Sequence, residues 1–249
     1  MPQNKYDDPA FFAAYGDMPR SQGGLDAALE WPVLRAMLPD LRGKRMLDLG
    51  CGFGWHCRYA REHGAASVLG IDLSERMLAR AAAMTVDPAI EYRRAAIEEL
   101  ELPAHSFDVV LSSLALHYVE RFDLVCRRMH HALVAGGSFV LSVEHPIFTA
   151  RAEQDWWRDA AGAPLHWPVD DYQNEGLRRT GWLAPDVVKY HRTIATYLND
   201  LLDAGFRIER LAEPSPPEWA LAERPDLQDE LRRPMFLLIS ATAEERVRP

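Results

Sequence analysis

The chain has 249 residues, 48% of them hydrophobic, enough to bury a sizeable core in one large α/β unit or two small ones. Its 28 basic and 37 acidic residues leave a net charge of −9, which argues against nucleic acid as the main partner, because phosphate neutralisation drives such binding. No apolar run is long enough to span a membrane and the N-terminus has no secretory-signal pattern. Three cysteines, an odd number, suit free thiols in the cytoplasm better than a disulfide framework.

Apolar residues at Leu25, Leu29, Val33 and Met37 predict a helix over 25–38, kinked or divided at Pro32. From Arg45 short apolar runs alternate with helical patterns. "RMLDL" reads as a strand and 53–63 as a helix closed by Gly64. "SVLGID" is the next strand, and Ser74 caps a helix running to about Met84. "IEYRR" and "FDVVLSS" are the third and fourth strands. A helix over 121–133 then carries Phe122, Val125, Met129 and Leu133 on one face, and "GGSFVLSVE" is the fifth strand. The segment 146–186, rich in Trp, Pro, Gly and charge, has no lasting periodicity and reads as a lid or substrate-facing insertion. A helical pattern returns from Asp186 through Val187, Tyr190, Ile194, Leu198 and Leu201 to Gly205. "FRIERL" and "MFLLISA" close the chain's strands. Strands separated by helices imply right-handed crossovers and a mainly parallel sheet with helices on both faces, in a single domain over 1–249.

The stretch "MLDLGCGFGWHC" places a glycine-rich turn between a strand and a helix, the arrangement of a nucleotide site. A dinucleotide fingerprint starting at Gly50 needs Gly or Ala at position 55, where this chain has Trp55. Asp48 puts negative charge beside the loop, which repels a pyrophosphate and attracts a cation. Asp72, at the end of the second strand, is placed to accept hydrogen bonds from a ribose diol. Together these ask for a nucleoside with a cationic tail, which S-adenosylmethionine is, with S-adenosylhomocysteine as product. Cys51, His56 and Cys57 lack the paired spacing of a zinc site, so no metal is expected, and Cys57 and Cys126 read as small buried hydrophobes.

"LDLGCGFG", "VLGIDLSERML", "FDVVLSSLALHYV" and "ALVAGGSFVLS", in that order and spacing, resemble the class I S-adenosylmethionine-dependent methyltransferases. "SSLALHYV", "EHPIFTA" and "YHRT" are similar to a small-molecule, methyltransferase type 11-like subgroup. The resemblance implies a seven-stranded sheet in the order 3-2-1-4-5-7-6 with strand 7 antiparallel. It also implies cofactor contacts at Asp48, Gly50, Cys51 and Gly52, ribose binding by Asp72 and adenine packing by Leu73 and Met77. Ala96 and Ile97 stand where many members carry an acidic residue, and supply backbone groups and an apolar wall; Ser112 is counted with the cofactor contacts. The N-terminal segment, 1–40, is expected to cover the cofactor, with Tyr15 and Arg20 near its methionine part.

For catalysis, His117 follows the fourth strand, Glu144 and His145 end the fifth, and His191 is expected on the helix after the insertion. All lie toward the rim where ligands of open sheets bind, and His145 is the first choice. A general base is needed only if the acceptor arrives protonated. Trp156, Trp157, Trp167 and Trp182 either wall an apolar acceptor or pack the insertion onto the domain. The reading is methyl transfer to an oxygen or nitrogen of a small molecule. The alternatives are a nicotinamide-dependent oxidoreductase and a non-catalytic cofactor-binding regulatory module. The acceptor and the oligomeric state are not given by the sequence.

Overall fold

In the computed structural model, which describes residues 3–245, strand β1 (Arg45–Leu49) turns Leu47 and Leu49 to one face and Met46 and Asp48 to the other. Residues 1–2 of the expected N-terminal segment and 246–249 of the expected domain lie outside the described residues. Around β1 assemble β2 (Ser67–Asp72), β3 (Ile90–Arg94), β4 (Phe107–Ser113), β5 (Leu133–Glu144), β6 (Phe206–Ala212) and β7 (Phe236–Ala243). The sheet runs β3-β2-β1-β4-β5-β7-β6. β1 to β5 are parallel, with Leu47 opposite Leu69 and Val110, and β7 lies antiparallel to both β5 and β6. The expected order and the antiparallel seventh strand are both present.

The N-terminal segment forms α1 (Pro9–Gly16) and α2 (Pro19–Gln22). One sheet face packs on α3 (Trp31–Ala36) and α4 (Trp55–Glu62), through Trp31, Leu34, Cys57 and Ala60. Next come α5 (Glu75–Ala83), capped by the Ser74 hydroxyl, and α6 (Phe122–Ala132). α6 buries Phe122, Val125, Cys126 and Met129, a spacing of three and four residues that forms one stripe. After β5 come α7 (Pro146–Thr149) and α8 (Ile194–Ala204), which is capped by Thr193 and ended by Gly205 at φ 100°. α6 and α8 cover the second face of the sheet.

Two expectations need correction. The helix over 25–38 is divided, as one of the expected outcomes had it, but the break lies before Pro32 and not at it: a 3-10 turn, Gly24–Ala27, is followed by α3, with Pro32 in its first turn where its missing N–H costs nothing. The pattern from Asp186 is not helical. Ala184–His191 is a strand, paired antiparallel with Gly176–Trp182 in a hairpin, and helix begins only at Ile194. Val187, Lys189 and His191 are buried alternately, a period of two; Lys189 on the inward face disguises it. The insertion is therefore ordered: α7, a small hairpin of Trp157–Arg158 with Pro164–His166, and the longer hairpin. No helix among the described residues is long and apolar enough to cross a membrane.

Candidate active site

The carboxyl ends of the central strands open into one cavity of about 770 Å³. Its floor begins at the loop after β1. Gly50, Gly52 and Gly54 all have positive φ. At Gly50 the requirement is steric as well, since a Cβ there would lie 2.4 Å from that of Ala115. The Gly50 and Cys51 amides both donate to the Ile71 carbonyl, at 2.8 and 2.9 Å, which fixes the loop against β2.

Asp72 ends β2 facing this cavity. Its carboxylate accepts from the Gly52 amide at 2.9 Å and the Ser74 amide at 2.8 Å, so it is oriented before any ligand arrives. Burial raises its pKa, and the two backbone donors work against that rise. Leu73, Met77, Ala96 and Ile97 form the adjoining apolar wall. Asp48 lies under the loop rather than in the cavity. The Cys57 thiol donates to its Oδ2 at 3.3 Å, Oδ1 has no partner among the described residues, and burial pushes its carboxyl up to about 7. Cys51 is buried beside a second space of about 50 Å³. Ser112 points into the protein, its hydroxyl donating to the Leu49 carbonyl at 2.9 Å. The three cysteines are free and buried, and among the described residues no three His, Cys, Asp or Glu side chains converge as a metal site.

Tyr15 and Arg20 both reach the cavity. Arg20 is held by Glu30, a 1% exposed carboxylate 2.8 Å away that sequence reasoning missed; Glu30 is a lone acidic residue beside a helix start. The roof is shared by the N-terminal segment and the long hairpin. Gln3 donates to the Asp186 carbonyl and accepts from the Val188 amide, both at 2.9 Å, while Lys5 donates to the Pro185 carbonyl. Asp7 ties the same segment to the start of α5 through Ser74 and Arg76.

The three candidate histidines separate. His117 lines the cavity. His145 and His191 do not, and both are fully buried with both ring nitrogens in use. His145 caps α7 by accepting from the Ile147 amide and meets Glu213 at 2.7 Å. His191 ends the hairpin strand, not a helix, and bonds Thr149 and the Tyr172 carbonyl. Glu144 does reach the cavity, in a cluster the sequence did not show. Lys189, fully buried, donates to Glu144 at 2.6 Å and to Gln154 at 3.0 Å, and Gln154 donates to the second Glu144 oxygen at 3.1 Å. Burial works to raise the Glu144 pKa, but His117 and Lys189 outweigh it and the carboxyl is held low. Of the four insertion tryptophans only Trp182 lines the cavity. Trp156 and Trp167 instead surround the Arg233 guanidinium, which lies 3.8 Å from the Trp167 ring, and Trp157 is exposed.

The family model described as "Methyltransferase domain" matches residues 47–141. A Haemophilus influenzae protein of uncharacterised function is 36% identical over 252 residues, 97% of each chain. The crystal structure of an S-adenosylmethionine dependent methyltransferase from Mesorhizobium loti is 56% identical, covers 88% of this chain and 100% of that one, and superposes with a TM-score of 0.82. The chain belongs to the S-adenosylmethionine-dependent methyltransferases. This methyltransferase is therefore an enzyme with S-adenosylmethionine as cofactor, and the nicotinamide and non-catalytic alternatives give way. A ubiquinone biosynthesis O-methyltransferase of Sinorhizobium medicae is 34% identical over 142 residues, 56% of each chain.

Proposed function

We propose that the enzyme transfers the methyl group to an oxygen or nitrogen of a small molecule, in the cytoplasm, working as one domain over 1–249. The observation that carries this reading is the cavity of about 770 Å³. It runs from Asp72 at the end of β2, past Gly50 at the end of β1, to His117 and Glu144 beyond β4 and β5. Its volume suits small ligands, and its enclosure under the hairpin suits neither a polymer nor a broad surface. The net charge of −9 points the same way.

The residues present fit the cofactor. Gly52 lines the cavity with open space where a Cβ would stand, the Asp72 carboxylate is preoriented at the cavity wall, and Leu73, Met77, Ala96 and Ile97 make an apolar slot beside it. In this reading Asp72 accepts from the ribose hydroxyls, the slot takes the adenine, and Gly50, Gly52, Tyr15 and Arg20 surround the methionine part. Asp48 and Cys51 act from beneath, by shaping the loop. Bound S-adenosylmethionine supplies an electrophilic methyl carried on a sulfonium. The chain's own part is to hold the two ligands in line and exclude water. Segment 1–40 closes over the cofactor side and 146–186 shapes the acceptor side.

Replacing Asp72 tests the reading. A hydrogen bond to a charged group contributes about 1.5–3 kcal/mol, so Asp72→Ala should weaken S-adenosylhomocysteine binding about ten- to a hundredfold in calorimetry. Wild-type affinity in that variant would refute the ribose assignment.

A further inference from the structure

His117 differs from His145 and His191, whose ring nitrogens are both engaged, in having an unused nitrogen at the cavity. It is 2% exposed, lines the cavity, and accepts at Nδ1 from the Glu144 amide at 3.4 Å. That contact selects the tautomer with hydrogen on Nε2, and among the described residues nothing meets Nε2. Burial, with Lys189, Arg192 and Arg20 nearby, lowers the His117 pKa to about 4, with Glu144 opposing. The ring is thus neutral at pH 7: a fixed donor and a weak base. The charges around it also matter. Glu144 is neutralised by Lys189, and Arg20 by Glu30. Arg192 spends its guanidinium on the carbonyls of Val119 and Glu120, with no carboxylate pairing it among the described residues. Glu153, a further carboxylate on this side, is exposed and pairs with Arg151. Of the cavity's remaining carboxylates on this side, Glu98 accepts from the Glu120 and Arg121 amides, and Glu99 and Glu120 are exposed to solvent. Among the buried charges around His117 the positive ones are therefore in excess by one, that of Arg192.

Position separates this corner from the cofactor wall. Asp72 ends β2 and Glu144 ends β5, with β1 and β4 between them, so three strand spacings of about 4.8 Å put the two ends roughly 14 Å apart. The walls on the far side include the rings of Phe148, Trp182 and Phe236.

We infer that this corner is an oxyanion subsite, in which His117 Nε2–H and the surrounding positive potential hold an anionic oxygen of an aromatic acceptor, a carboxylate or phenolate, for O-methylation. The inference rests on the methyltransferase site proposed above and names its substrate class. An acceptor oxygen supplies the electron pair of the new O–CH3 bond, and the pair of the broken C–S bond stays on sulfur. The positive charge of the sulfonium and the negative charge of the acceptor disappear together. No proton is released, so a site whose histidine is too weakly basic to take one is still competent.

The test uses full-length protein saturated with S-adenosylhomocysteine, titrated with benzoate, 4-nitrophenolate or benzylamine and followed by the nitrogen-15 signals of His117. At least one anion should bind, shift the Nε2–H signal and bind more tightly than benzylamine; which one does so tells carboxylate from phenolate. His117→Phe should weaken that binding about ten- to a hundredfold, and His117→Gln, which keeps a donor at the Nε2 position, should restore most of it. Tighter binding of benzylamine, no binding of either anion, or an Nε2 signal that does not respond would overturn the inference, even if the Phe variant fails to fold. Failure of S-adenosylhomocysteine to bind the wild type would instead overturn the site on which it rests.

Discussion

Asp48 shows how one side chain at the end of a buried strand carries two consequences. Its carboxyl is raised to about 7 by burial, above its ordinary value of 3.8. Between those pH values the folded chain holds a proton that the unfolded chain has released, so this residue's contribution to stability falls as pH rises through the window. Asp48→Asn removes that linkage. The wild-type minus variant difference in unfolding free energy, measured by urea denaturation across the window, should therefore decline steadily with pH; a flat difference would refute the assignment. The sequence located both Asp48 and Asp72, because a carboxylate next to a glycine turn is a local pattern, but it counted Asp48 among the cofactor contacts, whereas only Asp72 lines the cavity. The histidines were not. His145 sits at a strand end, as expected, but its ring is claimed by the cap of α7 and by Glu213, 68 positions away. Sequence placed it on the correct rim and had no means to tell which way it turned.

At the scale of elements, the long hairpin is where the helical reading failed, and the cause is Lys189. A lysine between Val187 and His191 breaks the apolar alternation that marks a half-buried strand. It is buried because Glu144 and Gln154 receive it, and those partners lie 45 and 35 positions away. The strand was hidden because the group that makes a buried ammonium tolerable belongs to another element. Lys189→Met should cost about 3–5 kcal/mol in chemical denaturation, since it leaves the Glu144 carboxylate buried without its counter-charge. Adding Glu144→Gln should recover much of that loss. A double variant as unstable as the sum of the two singles would exclude direct coupling. The central parallel strands β2, β4 and β5, by contrast, were read correctly because both of their faces are covered and each carries a buried, mainly apolar run.

Across the whole molecule, the insertion is fastened on the side of the cavity formed by Phe148, not at the glycine loop. Arg233 threads between Phe148, Trp156 and Trp167, 4.6, 5.4 and 3.8 Å from their rings, and pairs with Glu230 at 2.7 Å. A desolvated cation over aromatic rings contributes up to about 2 kcal/mol per contact. Arg233→Ala should loosen the segment 151–175, so that thermolysin cuts there on the order of ten times faster while S-adenosylhomocysteine affinity is unchanged. Equal cleavage rates would show that the insertion is held elsewhere. The sequence disclosed the insertion as a break in rhythm and its tryptophans as a choice between wall and packing. The structure divides them, with Trp182 facing the cavity and Trp156 and Trp167 gripping Arg233.

The strap from Gln3 to Asp7 bonds to both banks of the cavity, the hairpin backbone on one side and the start of α5 on the other. On the placement of the two ligands proposed above, one strap covers both ends of the cavity, so its opening would expose the cofactor side and the acceptor side together, and release of one ligand would be coupled to entry of the other.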